Sequence, residues 1–231
     1  MILIKRQNYL VRVCIIAIFS LIFRVYVVAT DSWHDKLSGD TFYYHWLGWF
    51  LSHGYGFISP FIFFNDRTAG YVNVTAQSFA GSHTLVPTVL HPPVFSIFVA
   101  LLDLIGLTSP GSQLISLCVL GSLNVVLIAS FTKKTCGTFA GYTAAILAGF
   151  YPAMWFIDYN LMAEQLTQIL ITIIIVLIYG YVKRPNLKSA FVLGICCAVA
   201  ALTRGELDAL VIMFFGMLLV NKYVKSKIKF N

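Results

Sequence analysis

Positive charges recur at four places along this chain, each beside a long hydrophobic segment. They are Lys5, Arg6 and Arg12; Lys133 and Lys134; Lys183, Arg184 and Lys188; and Lys222, Lys225, Lys227 and Lys229. All nine acidic residues and all five histidines fall between these places or near the opposite ends of the intervening segments. Since Lys and Arg beside membrane helices mark the cytoplasmic side, the pattern predicts one basic cytoplasmic face. The opposite face then collects nearly every residue capable of acid–base or metal chemistry.

The composition excludes an ordinary soluble domain. Hydrophobic residues make up 59% of the chain and charged residues only 11%, which is typical of an integral membrane protein. The net charge of +7 suits contact with anionic lipid headgroups and does not indicate nucleic-acid binding.

Hydrophobic runs of about 20 residues predict the membrane spans. The candidate runs cover residues 10–30, 112–131, 137–156, 161–182, 188–204 and 206–222. With the basic turns placed on the cytoplasmic side, both termini are cytoplasmic as well. We therefore expect residues 1–231 to form a single membrane domain, multi-pass in the cell membrane.

The apolar run from Pro93 to Leu107 predicts a helix that does not cross the bilayer. Its 15 or so residues would extend roughly 22 Å, short of the ~30 Å hydrocarbon core, and Asp103 lies inside it. If it crossed, the turns at Lys133 and Lys183 would face outward, against the charge rule. Residues 31–111 are therefore expected to form one large outer segment, with this helix in the interface.

A second interfacial helix is predicted from Asp40 to His53. Phe42, Trp46 and Phe50 recur at four-residue spacing and give it one aromatic face. Residues 55–90 have no clear periodicity and predict a loop. The expected fold class is all-α: a polytopic membrane protein with about six transmembrane helices and two interfacial helices in the outer segment.

Five polar residues are candidates for a functional site, and each has a structural alternative. Asp40 could simply cap its helix, and His91 could be a solvated loop residue. Glu164 is harder to dismiss, because an ionisable group at membrane depth costs about 3 kcal/mol or more unless it meets a partner or a polar cavity. Arg24 and Arg204 raise the same question, and a structural Glu–Arg pair would explain two of these three residues.

Short motifs in order along the chain resemble a known group of enzymes. They are Arg24, Gly39-Asp40-Thr41-Phe42-Tyr43-Tyr44, Gly54-Tyr55-Gly56-Phe57, His91-Pro92-Pro93-Val94-Phe95, Tyr151-Pro152, Ala163-Glu164 and Leu202-Thr203-Arg204. The series resembles the amino-terminal half of GT-C-type membrane glycosyltransferases, the group related to protein mannosyltransferases and lipid A aminoarabinose transferases. Such enzymes take a sugar from a polyprenyl-phosphate carrier at the extracytoplasmic face.

The resemblance implies a role for each candidate residue. Asp40 would be the catalytic carboxylate, a general base toward an acceptor hydroxyl. Arg204 and Arg24 would bind the lipid phosphate, and Glu164 and His91 would shape the cavity or bind metal. The implied partners are a polyprenyl-phosphate sugar, a lipid, glycan or protein acceptor, and membrane lipids. A divalent cation, Mg²⁺ or Mn²⁺, is implied as a cofactor because some relatives use one.

Other functions stay open from the sequence. Members of the group are usually longer, which leaves three alternatives open: a truncated gene product, one part of a split enzyme with a missing second half as its partner, or a reduced member of the group. A non-catalytic fragment of a split enzyme is one alternative to an active transferase. A transporter or flippase of a lipid-linked or anionic solute is the alternative from another class, with Glu164, Arg24 and Arg204 lining its path. Transporters usually show repeated halves and helices broken near the midplane, and the sequence shows neither.

Overall fold

The fold was analysed in a computed structural model that describes residues 2–30, 37–65, 74–209, 212 and 216, with side chains from residue 8 onward. The four longest helices within these ranges are α1 (Ile2–Thr30), α5 (Pro110–Cys136), α8 (Glu164–Lys183) and α9 (Leu187–Ala201). The shorter helices are α2 (Gly39–Ser52), α3 (Pro60–Phe63), α4 (Pro93–Leu104), α6 (Thr138–Phe150) and α7 (Pro152–Trp155). These elements confirm a helical membrane protein.

Within the described residues, three helices are long and apolar enough to cross a membrane, and they agree with three predicted spans. They are Asn8–Thr30 of α1, the whole of α5 and the whole of α8. The span predicted at 137–156 is interrupted instead: α6 ends at Phe150, and the chain from Pro152 to Tyr159 bends away by 62°. Pro152 explains the break, since proline has no N–H to continue the helical ladder. Counting this bent pair as one span gives four.

The last two predicted spans are not confirmed. The run at 188–204 folds as α9, which has 15 residues and is shorter than the roughly 20 that a span needs. Of the run at 206–222, the structure describes a short 3-10 helix at Gly205–Leu207 and little more, so most of it lies outside the described residues. The predicted count of about six spans therefore stays a prediction.

Helix α5 is the centre of the bundle, packed against α1, α6 and α8. Small residues allow the close approach: Ala17 of α1, Ala129 of α5 and Ala145 of α6 belong to one buried cluster. Such residues are common where membrane helices pack, because they let two backbones approach. The Tyr9 hydroxyl donates to the Ala129 carbonyl at 3.0 Å and joins α1 to α5 at the end that carries Lys133.

Helices α2 and α4 form a second packed unit beside the bundle. Tyr44 and Leu47 of α2 are buried with Phe95 and Val99 of α4. Gly48 is required at the crossing, because a Cβ there would collide with the side chain of Val99. At 12 residues, α4 is about 18 Å long, too short to span, as the sequence predicts.

The segment predicted as a plain loop contains short helices. Within 55–90, the structure has α3 and a 3-10 turn at Ala76–Phe79. Their rings pack on the aromatic face of α2, where Phe42 and Phe50 are buried with Phe63 and Phe64. Periodicity does not reveal such elements, since a single turn is shorter than one repeat of a helical pattern.

Candidate functional site

Asp40 lies in the first turn of α2 but does not cap it. The N-cap is Ser38, whose backbone N–H donates to the Thr41 hydroxyl at 3.2 Å, so a capping box satisfies the helix start. The interpretation of Asp40 as a helix cap is therefore wrong. Its side chain is 46% exposed, and its carboxylate is available for other contacts.

The partner of Asp40 is His91, in the Pro-Pro turn that precedes α4. His91 Nε2 lies 3.1 Å from Asp40 Oδ1. Because a carboxylate oxygen accepts, we assign the proton of a neutral imidazole to Nε2, which donates. The ring of His91 is held between Tyr43 and Tyr44, at centroid distances of 5.0 and 5.1 Å. This packing fixes the imidazole beside the carboxylate of Asp40.

Tyr44 connects the Asp40 pair to a second group of charges. Burial raises the pKa of the Tyr44 hydroxyl above its usual range, and the carboxylates of Asp40 and Glu164 raise it further. The phenol therefore stays protonated and can only serve as a neutral hydrogen-bond donor or acceptor. Both carboxylates are therefore near enough to Tyr44 to act on its hydroxyl.

The second group is built on Arg204, just after α9. Its Nη1 donates to Glu164 Oε1 at 2.7 Å, and its Nε donates to Glu206 Oε2 at 3.0 Å. The Arg204 side chain is 38% exposed and that of Glu164 is 26% exposed, so the pair lies at the edge of the bundle. The Glu–Arg pair considered from the sequence exists, and it lies next to the other candidate residues.

A main-chain hydrogen bond joins the two halves of this site. The N–H of Val94, in the first turn of α4, donates to the Leu202 carbonyl at the end of α9, at 3.0 Å. Each is a terminal group that has no partner inside its own helix. The bond places the turn that carries His91 beside the turn that carries Arg204.

Arg24 lies elsewhere, and its surroundings do not support the predicted role in phosphate binding. Its side chain is fully buried and forms an ion pair with Asp158. Further bonds run to Ser20 and to the carbonyls of Ala148 and Met154. Among the described residues, its hydrogen bonds and its ion pair do not include Asp40, His91, Glu164 or Arg204. It fastens α1 to the bend after α6.

A buried chain of hydrogen bonds joins the α2–α4 unit to α5. His45 Nδ1 lies 2.8 Å from Gln113 Oε1, and Gln113 Nε2 donates to Asp103 Oδ1 at 2.7 Å. Burial raises the pKa of Asp103 to about 6 and lowers the pKa of His45. The three side chains join α2, α4 and α5.

The described residues contain no group of three His, Cys, Asp or Glu side chains able to hold a metal ion. Asp40 and His91 together supply two ligands, and Glu164 is already paired with Arg204. On their own, the described residues therefore do not complete a site for the predicted divalent cation, and the dependence on metal stays a prediction.

Comparison with known protein families matches residues 90–231 to the dolichyl-phosphate-mannose-protein mannosyltransferase family. The chain belongs to this family. The matched region covers more than half of the sequence and contains His91, Glu164 and Arg204, whereas Asp40 precedes it. Membership indicates a membrane glycosyltransferase of the GT-C type and confirms the resemblance seen in the sequence motifs. No curated protein and no solved structure matches the chain.

The structure brings together four of the five candidate residues and adds some that the sequence did not single out. One of these is Tyr44, whose spacing of four residues from Asp40 places both on one helix face. Asp158, Gln113 and Asp103 were not assigned to a site. A polar residue within an apolar stretch is a signal that a partner exists, but spacing does not say which one.

Proposed function

We propose that this family member transfers a sugar from a polyprenyl-phosphate donor to an acceptor hydroxyl at the extracytoplasmic face. The observation that carries the proposal is the meeting of Asp40, His91, Tyr44, Glu164 and Arg204, which come from distant parts of the sequence. A base and a cation in one half-open site are what an inverting transfer needs.

Asp40 is the general base in this proposal. The N–H of His91 holds one carboxylate oxygen at 3.1 Å and leaves the other to accept the proton of the attacking hydroxyl. His91 is thus a positioning residue, which orients the carboxylate as a partner in a dyad does. The exposure of Asp40 allows an acceptor to approach it from the aqueous side.

Arg204 stabilises the departing lipid phosphate. Two carboxylates hold its guanidinium in place, and they differ in exposure: the Glu206 side chain is 72% exposed and that of Glu164 is 26% exposed. Glu206 is the carboxylate that a phosphate would replace, since an exposed carboxylate returns to water at little cost. Glu164 then keeps Arg204 aligned. If the reaction uses a divalent ion, Asp40 and His91 are the pair that would contribute ligands.

A transfer assay tests the proposal. Purified full-length protein in lipid nanodiscs receives a labelled polyprenyl-phosphate sugar and mixed acceptors. We expect release of lipid phosphate with label on the acceptor, and we expect Asp40→Asn to lower the rate by a factor of about 10² or more, as loss of a general base does. The control is Thr143→Val, which changes an exposed side chain of α6, a helix that packs against α1 and α5, and it should leave the rate unchanged.

Two results would reject the proposal. One is an equal transfer rate in wild type and Asp40→Asn, both folded by their thermal transitions. The other is movement of the lipid-linked sugar across sealed vesicles with no transfer to any acceptor, which would favour a transporter.

A further inference from the structure

A cavity of about 610 Å³ lies in the outer segment, apart from the charged site. This volume is within the roughly 300–1,000 Å³ typical of small-molecule sites. One wall is aromatic and comes from α3 and the residue after it, including Phe61, Phe63 and Phe64; the other comes from the stretch 78–84. Neither the sequence motifs nor the proposed reaction uses this cavity.

His83 in the second wall has one nitrogen without a partner. Its ring stacks on Phe63, with centroids 4.1 Å apart and planes 12° from parallel. Its Nδ1 lies 2.9 Å from the Phe63 carbonyl, which can only accept, so Nδ1 carries the proton of a neutral ring. Nε2 is then an acceptor, closed off from water and without a hydrogen bond. An unmet buried acceptor is costly, and a turn of the His83 ring that exposed Nε2 to the cavity would let a ligand hydroxyl donate to it.

The lining residues favour a neutral ligand with many hydroxyl groups. Besides the aromatic rings and His83, the wall carries the amide of Asn65 and the hydroxyls of Ser78, Ser82 and Thr84. Among the described residues that line the cavity, none is Asp, Glu, Lys or Arg, so an ionic ligand would gain no fixed counter-charge from them in return for the hydration it loses. A sugar ring fits this chemistry, because its C–H face packs on an aromatic ring while its hydroxyls meet polar groups at the edge.

The cavity lies next to the charged site. Phe61 in its wall contacts Tyr43 at a centroid distance of 6.1 Å. Tyr43 contacts the His91 ring at 5.0 Å, and His91 bonds to Asp40. Two rings therefore separate the cavity wall from the Asp40 carboxylate.

From these contacts we infer that the cavity is an acceptor subsite for a neutral saccharide. The acceptor role rests on the proposed function, whereas saccharide binding does not. If one sugar unit of the acceptor packs against Phe61, the next sugar unit, or a hydroxyl group of the first, would reach past Tyr43 toward Asp40.

The experiment is saturation-transfer NMR on the full chain in nanodiscs. The probes are methyl mannoside, mannobiose and, as a charged comparison, a mannose phosphate. We expect saturable binding of the two neutral sugars, weakened at least about tenfold by Thr84→Val and by His83→Asn, as loss of a hydrogen bond to the ligand does. The Asn variant keeps a donor for the Phe63 carbonyl but lacks Nε2. The matched control Thr143→Val, on the exposed face of α6, should bind like wild type.

The outcomes separate the subsite from the proposed reaction. Saccharide binding retained in Asp40→Asn but lost in Thr84→Val supports the subsite, even where wild type transfers no sugar and the proposed function fails. No saturable binding of neutral sugars, equal binding in wild type and both cavity variants, or tighter binding of the mannose phosphate would overturn the saccharide site. Active transfer with the same acceptor KM in wild type and Thr84→Val would overturn the acceptor role.

Discussion

Two arginine–carboxylate pairs in this protein have the same chemistry and opposite surroundings. The Arg24–Asp158 pair is almost completely enclosed, with side-chain exposures of 0% and 1%. The Arg204–Glu164 pair is partly open, at 38% and 26%. Arg24 also bonds to two backbone carbonyls, whereas Arg204 faces a second, exposed carboxylate from Glu206. An arginine that is surrounded by fixed acceptors holds helices together, and one beside an exchangeable acceptor can receive a ligand.

The largest expected effect comes from removing the enclosed arginine. Arg24→Met leaves Asp158 buried without a counter-charge, which should cost about 3–5 kcal/mol of stability. Thermal unfolding in nanodiscs, followed by circular dichroism, measures the loss. A double variant, Arg24→Met with Asp158→Leu, should recover much of it, because two apolar side chains can replace a buried ion pair. If the single variant is as stable as wild type, the pair is not structural.

The same substitution at the open arginine should act on the reaction instead. Arg204→Met is expected to lower the transfer rate about 10²-fold, since a cation at the developing charge is lost. The free energy of unfolding should change by no more than about 1 kcal/mol, as for exposed pairs. Transfer kinetics and thermal unfolding on the same preparation check both values. If Arg204→Met lowered the free energy of unfolding as much as Arg24→Met does, the two pairs would have the same structural role.

The packing around the buried Arg24–Asp158 pair can be tested by a substitution at Gly121. A Cβ on Gly121 would lie 2.5 Å from Arg24 Nη1 and 2.8 Å from Gln165 Nε2, so Gly121→Ala should cost about 1–3 kcal/mol by overpacking. Gly194→Ala is the matched control, because a Cβ there meets open space and alanine is the better helix former. Thermal unfolding of the two variants should move in opposite directions.

Asp103 is an intermediate case, a buried carboxyl group held by Gln113 and not by an arginine. Burial raises its pKa to about 6, above the value of about 3.9 in an unfolded chain. The folded state therefore holds this proton more tightly, and the group's contribution to stability falls as pH rises from about 4 to 6. His45 acts in the other direction: burial lowers its pKa, so its contribution is lost as pH falls below about 6.5.

Asp103→Asn should isolate the carboxyl contribution. We expect the variant to gain stability relative to wild type as pH rises through this range, by about 1–2 kcal/mol, and to match it near pH 4. Melting temperatures of both proteins across the pH series give the difference, in which the contribution of His45 cancels. A constant difference at every pH would show that the Asp103 proton is not linked to folding.

The smallest effect is expected at the exposed end of the open pair. Glu206→Gln should leave the melting temperature unchanged and lower the KM for the lipid-linked donor by less than about fivefold, because exposed ion pairs are weak. Steady-state kinetics at two ionic strengths measure it. A large rise in KM would mean that Glu206 contributes to donor binding and does not compete with it.

The sequence predicts the helical membrane architecture and the main features of the site, because both rest on local patterns. Pro93 begins α4, as expected of proline at a first helical position. The four-residue spacing of aromatic side chains correctly predicts α2. Asp40, His91, Glu164 and Arg204 were singled out by type and place, and the structure brings these four together. The order of the motifs along the chain was needed to identify these residues, because each motif alone is too short to be specific.

What the sequence could not supply are pairings across long separations. Arg24 and Asp158 lie 134 residues apart, and periodicity carries no information on which acid an arginine meets. The break at Tyr151 interrupts a hydrophobic run that continues on both sides, so hydropathy alone extends the span through Pro152. The cavity beside Phe61 depends on single-turn helices that leave no repeating pattern.

The bond between Val94 and Leu202 has a consequence for motion in this molecule. It is formed by two backbones, so most side-chain substitutions leave its donor and acceptor in place, and it joins the turn that carries His91 to the turn that carries Arg204. Any displacement of α9 that carries Arg204 outward must either break this link or carry His91 with it. In the proposed reaction, donor entry and the alignment of Asp40 would for that reason be coupled steps.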